Sequence, residues 1–268
     1  MTVLYKEINV MYKVKERARV IAQEELAKDI FSMRIETGIA KAALPGQFIS
    51  LYTKSEARLL PRPVSICETD NDSLRIVYRI AGDGTREFSS YKEGDSVDIL
   101  GPLGNGFPLS AAGDKKAAIL IGGGIGIPPM LELAKRLRCE KTIVLGYRDA
   151  DTFLDKELEK YGKVVIATDD GSIGTKGNVI DAIKEQNVRG SVIYACGPAP
   201  MLKGVKAYAA RNCIDAYISM EERMACGVGA CLGCVCKSVD IDDHSKVRNK
   251  RICKDGPVFN AEDINFKD

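Results

Sequence analysis

Four cysteines fall inside the segment Cys226-Gly-Val-Gly-Ala-Cys231-Leu-Gly-Cys234-Val-Cys236, and a further one, Cys253, follows downstream. The spacing is C-x4-C-x2-C with a distant fourth cysteine, the plant-type pattern for a [2Fe–2S] cluster. Thiolates offset much of the iron charge. The glycines let the loop wrap closely and turn its N–H groups toward sulfur, because glycine tolerates positive φ cheaply. The pattern nominates Cys226, Cys231, Cys234 and Cys253 as ligands and leaves Cys236 as a spare that could compete. Structural zinc is the nearest alternative, although zinc favours two C-x2-4-C knuckles and only one such pair precedes Cys253. Plain buried cysteines are a third reading, and they do not explain glycine at both 227 and 229.

The chain has 268 residues, 45% of them hydrophobic, enough for a sizeable core and two or three domains. Its nine cysteines would suit a secreted disulfide scaffold if the chain were short. The length, the clustering of the thiols and the lack of a signal-peptide pattern (Lys6 and Glu7 come too early) point to a reducing cytoplasm instead. No apolar run approaches the ~18 residues that span a membrane. A formal net charge of +2 without a Lys/Arg run argues against nucleic acid as a partner. The single histidine, His244, sits among Asp, Ser and Lys and reads as a solvated loop residue. The acidic and basic mixture at 155–160 reads as a solvated helix face.

Short β-rich runs at 13–22, 30–36, 46–52, 62–67, 73–81 and 95–100 are separated by turn residues such as Pro45-Gly46, Asp70-Asn71-Asp72 and Glu93-Gly94-Asp95. Six strands at that spacing suggest an antiparallel barrel over residues 1–110, with 1–10 as a short extension. Two stretches go beyond a purely structural barrel. Arg62-Pro63-Val64-Ser65 puts a cation and a hydroxyl on one strand, where arginine can meet a pyrophosphate bidentately. Gly82-Asp83-Gly84-Thr85 precedes the helix-like Arg86–Tyr91, and free N–H groups at a helix start favour phosphate. An edge-strand proline and an ordinary capping turn are the plain alternatives.

Together these motifs resemble the ferredoxin–NADP reductase superfamily. The resemblance implies that Arg62, Pro63, Val64 and Ser65 hold FAD phosphate and flavin edge, that Val77, Tyr78 and Arg79 line the cofactor, and that Gly84 and Thr85 bind pyrophosphate. Tyr78 also reads as a packed strand aromatic. Gly101-Pro102-Leu103-Gly104 reads as the turn that ends the barrel.

Residues 111–219 alternate strands (117–121, 142–145, 164–168, 192–195, 216–219) with helices (129–138, 179–186 capped by Asn178, 200–211), which gives a parallel, doubly wound α/β sheet. The first strand runs into Gly122-Gly123-Gly124-Ile125-Gly126-Ile127-Pro128, and a later one ends in Cys196-Gly197-Pro198. Glycine-rich turns at C-terminal strand ends are where open sheets bind nucleotides. Both motifs again resemble the reductase superfamily and imply nicotinamide binding. Cys196 reads equally as a buried small residue. Tyr147-Arg148-Asp149 offers one arginine beside an acid, which favours NAD over NADP.

Flavin barrel, nucleotide domain and a cluster domain at 220–268, in that order, resemble the electron-transfer subunits of NAD-dependent bacterial dihydroorotate dehydrogenases. The C-G-x-G-A-C-x-x-C core and the tail Cys253-Lys254-Asp255-Gly256-Pro257 carry that likeness. One departure is Pro61, where many members have a second arginine. The family implies FAD, [2Fe–2S] and NAD, with electrons arriving from a dihydroorotate-oxidising FMN subunit in a two-plus-two heterotetramer. The same modules would serve an NAD(P)H–ferredoxin oxidoreductase or a hydrogenase-associated flavin subunit. A zinc-stapled binding module without redox chemistry is the alternative of another class.

Overall fold

The computed structural model describes residues 13–55, 57–113, 117–242 and 246–266. The readings of residues 1–10 and of His244 lie outside the described residues.

Six strands, β1 (Val14–Ala27), β2 (Ile30–Glu36), β3 (Phe48–Tyr52), β4 (Arg62–Thr69), β5 (Ser73–Arg79) and β6 (Ser96–Leu103), close a barrel in the order β1-β2-β5-β4-β3-β6. A short helix, α1 (Asp83–Ser89), follows β5. Strand alternation sends Ile49, Leu51, Leu74, Ile76 and Tyr78 into the barrel core. Strand β1 outruns the expected end at 22, because two bulges keep its charged half paired with β2. The break expected at Gly101 and Pro102 begins only after Leu103. The β3–β6 ladder shifts register between Phe48 and Ser50, which lets the strand carry a proline that cannot donate.

The second layer alternates β7 (Ala118–Gly123), α2 (Pro129–Arg136), β8 (Lys141–Tyr147), α3 (Asp155–Leu158), β9 (Lys163–Thr168), β10 (Thr175–Lys176), α4 (Val179–Glu185), β11 (Val192–Cys196), α5 (Ala199–Asn212) and β12 (Asp215–Ser219). Asn178 caps α4 as expected, accepting from the N–H groups of Ile180 at 2.9 Å and Asp181 at 3.3 Å. The remaining chain adds a small pair, β13 (Val235–Lys237) and β14 (Asn249–Arg251), and then β15 (Val258–Asn260). The large sheet has the order β10-β9-β8-β7-β11-β12-β15. All its pairings are parallel except the last: Tyr217 to Ser219 meet Asn260 to Val258 antiparallel. The segment that carries Cys253 therefore ends as an edge strand of the nucleotide sheet.

Two apolar layers flank that sheet. One face packs on α4 and α5, and its cluster extends to Phe48, Leu103, Cys234 and Cys253. The other packs on α2 and reaches the barrel through Ile30, Cys67 and Val77. The face expected to be solvated at 155–160 is partly engaged: Glu157 receives Arg75 at 2.7 and 3.1 Å, and Leu158 is fully buried.

Candidate functional site

Strand order reverses beside β7, since β8 and β9 lie on one side and β11 and β12 on the other. Such a switch point opens a crevice at the C-terminal strand ends. Gly122 to Gly126 leave β7 there, and Cys196-Gly197-Pro198 leave β11. The two turns touch: a Cβ on Gly126 would sit 2.3 Å from the Cys196 carbonyl oxygen, and one on Gly123 would sit 2.5 Å from Met201 Sδ. A cleft of about 430 Å³ opens beside them, lined by Arg79, Gly123, Gly124, Asp169, Pro198 and Glu221, among others. Gly122, Gly126 and Gly197 do not line it; they allow close packing of the turns, where a Cβ would meet Ile127 at 2.9 Å, the Cys196 carbonyl at 2.3 Å and Met201 at 2.5 Å.

A second cleft, about 420 Å³, lies between barrel and sheet and includes Phe48, Pro63, Ser65, Cys196, Ser219 and Glu221 in its wall. Arg62 stands at the near end of β4, its guanidinium donating to the Leu60 carbonyl. A Cβ on Gly84 would come within 2.6 Å of Arg62 Nε, so the two phosphate-directed motifs are neighbours in space. Thr85 Oγ1 accepts from the N–H groups of Ala81 at 2.9 Å and Gly82 at 3.2 Å. Val64 and Tyr78 point into the barrel core, where Tyr78 stacks on Phe31 at 6.1 Å and meets Phe88 edge-on. Their side chains are thus turned from the cleft, and only their backbones face outward. Val77 is buried toward α2. Cys196 is walled by this cleft, and burial, with the Glu221 charge behind it, pushes its thiol up to about 12.

The cysteine loop follows the Ser219–Met224 wall of this crevice and lies against the barrel, where a Cβ on Gly227 would meet Ser50 Oγ at 3.1 Å. N–H groups of Val228 and Ala230 donate to Cys226 Sγ at 3.5 and 3.3 Å, that of Gly233 to Cys231 Sγ at 3.4 Å, and that of Cys253 to Cys234 Sγ at 3.4 Å. Backbone donors aimed at sulfur suit thiolate ligands, whose charge they stabilise. Gly229 takes φ +90°, a left-handed turn that glycine makes cheaply. Cys231 hydrogen-bonds Cys226 and Cys234 hydrogen-bonds Cys253, while Cys253 also feels the Cys226 charge. Among the described residues no three Cys, His, Asp or Glu side chains gather round a single point. Burial works against the Cys226 thiolate, yet the N–H donors and Cys231 outweigh it and bring that thiol down to about 6. Burial, together with the Cys234 contact, drives Cys253 up to about 12. Cys231 is exposed, whereas Cys234 and Cys253 are buried, so the loop is partly open to solvent. Cys236 sits in the core beneath, its thiol raised to about 11 by burial.

Comparison with known proteins agrees with this arrangement. Residues 221–265 match the iron–sulfur cluster binding domain of dihydroorotate dehydrogenase B, and residues 120–207 match an oxidoreductase NAD-binding domain. The chain is 45% identical over 255 residues to the dihydroorotate dehydrogenase B (NAD(+)) electron transfer subunit of Listeria monocytogenes serotype 4a (strain HCC23), covering 92% of this chain and 98% of that one. The chain belongs to the family of dihydroorotate dehydrogenase B electron-transfer subunits. A second family member, from Geobacillus sp. (strain WCH70), is 41% identical over 258 residues, 93% of this chain and 98% of that one. Among solved structures, the NADH-dependent reduced ferredoxin–NADP oxidoreductase superposes with a TM-score of 0.81 at 28% identity, covering 93% of this chain and 90% of that chain. The FAD/NAD-binding domain of nitric oxide dioxygenase from Vibrio cholerae O1 biovar El Tor shares the fold, with a TM-score of 0.64 at 18% identity over 75% of this chain and 96% of that chain.

Within this family frame, the sequence reading missed the stretch Ser219 to Met224, which runs from the end of β12 toward Cys226 and lines the cleft between barrel and sheet. Glu221 faces both clefts; burial raises its pKa, while Arg79 opposes that rise and Glu222 adds to it. Asp169, just past β9, was missed as well. The only signal for either was position, at or near the C-terminal end of a buried strand. No helix among the described residues is long and apolar enough to cross a membrane.

Proposed function

We propose that this chain passes electrons from dihydroorotate, oxidised on a partner FMN subunit, by way of [2Fe–2S] and FAD to NAD+, within a two-plus-two heterotetramer of the reducing cytoplasm that serves pyrimidine synthesis. The observation that carries the reading is the four-cysteine loop with backbone donors on its sulfurs, packed against barrel strand β3 at Ser50 and following directly on the stretch that lines the crevice between barrel and sheet. Cys226 and Cys231 would hold one iron, and Cys234 and Cys253 the other, in keeping with the hydrogen bond within each pair. Arg62 with Gly84 and Thr85 would take the FAD pyrophosphate; Pro63 and Ser65, with the backbones of Val64, Val77, Tyr78 and Arg79, would flank the flavin. Gly122, Gly123, Gly124, Gly126, Cys196, Gly197 and Pro198 would receive the nicotinamide nucleotide. The bound groups supply the redox chemistry: NAD exchanges a hydride, the cluster one electron, and flavin both.

The chain's own work is placement. Gly126 lets the two nucleotide turns meet backbone to backbone at Cys196, and Met201 packs beside them against Gly123 and Gly197. The N–H donors on Cys226 favour thiolate over thiol there, and Cys231 and Cys234 each receive one backbone N–H. A single histidine, and a crevice whose one raised carboxyl is Glu221, fit a subunit that does little acid–base work.

Anaerobic co-purification with the FMN subunit, followed by an assay of dihydroorotate-dependent NADH formation, tests the reading. A pair that reduces NAD+ from reduced ferredoxin or hydrogen, and not from dihydroorotate, would favour the ferredoxin oxidoreductase alternative that the structural likeness keeps in view. Cys231→Ala is expected to abolish dihydroorotate-driven NAD+ reduction while NADH still reduces artificial dyes through FAD. Equal loss of both activities with FAD retained would contradict the carrier order.

A further inference from the structure

Strand β3 sends Ile49 and Leu51 into the barrel core, which turns Ser50 to the opposite face. Ser50 is 1% exposed, and its hydroxyl oxygen has no hydrogen-bond partner among the described residues. Leaving a buried hydroxyl unpaired costs stability, so such a group normally has something to bind. What Ser50 faces is the cysteine loop. A Cβ on Gly227 would lie 3.1 Å from Ser50 Oγ and 3.4 Å from Leu103 Cδ1. Gly227 follows Cys226 directly, and Cys226 Sγ already receives the N–H groups of Val228 and Ala230. Any larger residue at 227 would push the barrel hydroxyl away. Across the β3–β4 ladder, Ser50 pairs with Pro63, which lines the flavin-side cleft. One hydroxyl thus stands between the flavin strand and the first cluster cysteine.

We infer that Ser50 donates a hydrogen bond to the sulfur of Cys226 in the cluster-loaded subunit, and that this bond raises the reduction potential of the [2Fe–2S] site. The inference rests on the cysteine assignment proposed above. Reduction adds negative charge that the sulfurs share, so a donor stabilises the reduced form more than the oxidised one. Ser50 supplies that donor from the barrel, outside the loop that holds the cysteines.

The test is a redox titration of the loaded complex, followed by electron paramagnetic resonance of the cluster and absorption of the flavin. Ser50→Ala should lower the cluster potential and leave the FAD potential unchanged. Ser50→Thr, which keeps the hydroxyl, should recover most of the shift. Thr175→Ala removes the other buried unpaired hydroxyl, on edge strand β10, and should change nothing. In cluster-free protein Ser50→Ala should unfold at equal or slightly higher urea than wild type, because only an unpaired group is lost. An unchanged cluster potential in Ser50→Ala, a shift that Thr fails to recover, or an equal shift in Thr175→Ala would each overturn the inference. A wild-type complex with no cluster signal would remove the cysteine assignment itself, and this inference with it.

Discussion

The barrel meets the rest of the molecule along two seams of opposite chemistry. Toward the nucleotide sheet the seam is charged. Thr69 donates its N–H and hydroxyl to Glu132 at 3.0 and 2.8 Å, Arg136 Nε joins the same carboxylate at 2.6 Å, and Arg75 grips Glu157. Toward the cysteine segment the seam is backbone and small residues. The Asn105 N–H donates to the Gly256 carbonyl at 2.7 Å, and Asn105 Nδ2 donates to the Lys254 and Asp255 carbonyls at 3.1 Å each. Among the described residues the ion pairs of the cysteine segment, Lys250–Asp263 and Arg251–Asp255, stay within it. A charge on that seam would add its own field to the sulfurs, whereas neutral donors adjust the potential in small, directed steps. The charged seam ties the barrel to α2 and α3; the neutral seam holds the proposed flavin strand beside the proposed cluster loop.

The contrast can be broken most sharply at Gly104, on the neutral seam. Its φ is +72°, and a Cβ there would sit 2.4 Å from Pro257 Cδ and 2.8 Å from the Gly256 carbonyl oxygen. Gly104→Ala combines a left-handed penalty with overpacking and should cost about 3–4 kcal/mol in urea unfolding. It should also slow electron passage from cluster to FAD more than NADH-driven dye reduction. Equal loss of both would show that the seam does not couple the two sites. On the charged seam, Glu132→Ala strands the buried Thr69 N–H and removes the acceptor of its hydroxyl proton, although that hydroxyl still accepts from half-exposed Arg136 at 3.2 Å. The expected cost is about 2–3 kcal/mol, with Gln recovering about half by keeping one acceptor. Its rate effect should fall on both activities alike.

Much of the fold was legible because local chemistry announced it. Turn residues at 45–46, 70–72 and 93–95 marked off the barrel strands, and Asn178 marked the start of α4. The cysteine loop was legible for the same reason: its spacing and its glycines are adjacent in sequence. What was not legible depends on distant partners. Val258 to Asn260 is too short to read as a strand until β12, some forty residues earlier, offers it an edge. Glu157 looked solvated because nothing near it in sequence reveals that buried Arg75 lies opposite. Ser50 reads as an ordinary strand serine; only its burial beside Gly227 distinguishes it. Glu221 carries no motif, and its place at the edge of both clefts is visible only in the fold.

The smallest expected effect separates the seams by pH. Glu68 lies on the charged seam, accepting from Arg34 Nη2 at 2.9 Å and from Lys135 Nζ of α2 at 3.2 Å. Burial by itself would raise its pKa, but the hydrogen bonds and charges of Arg34 and Lys135 outweigh burial and hold it below the ordinary glutamate value of 4.5. A carboxylate whose folded pKa is depressed binds its proton less readily in the folded state than in the unfolded one. Its contribution is therefore complete above the unfolded value and is lost as pH falls through the lowered folded value. Stability should accordingly be flat above roughly pH 5.5, a unit above that value, and decline below 4.5 as Glu68 takes up its proton. Glu68→Gln should cost on the order of 1 kcal/mol at pH 7 and flatten part of the acid limb. Asn105→Asp is the complementary control: it places a carboxylate on the neutral seam, against the carbonyls of Lys254 and Asp255, and should introduce acid sensitivity of the opposite sign. If Glu68→Gln leaves the acid limb unaltered, the charges of the first seam are decoration, and its angle is set by the apolar packing of α2 alone.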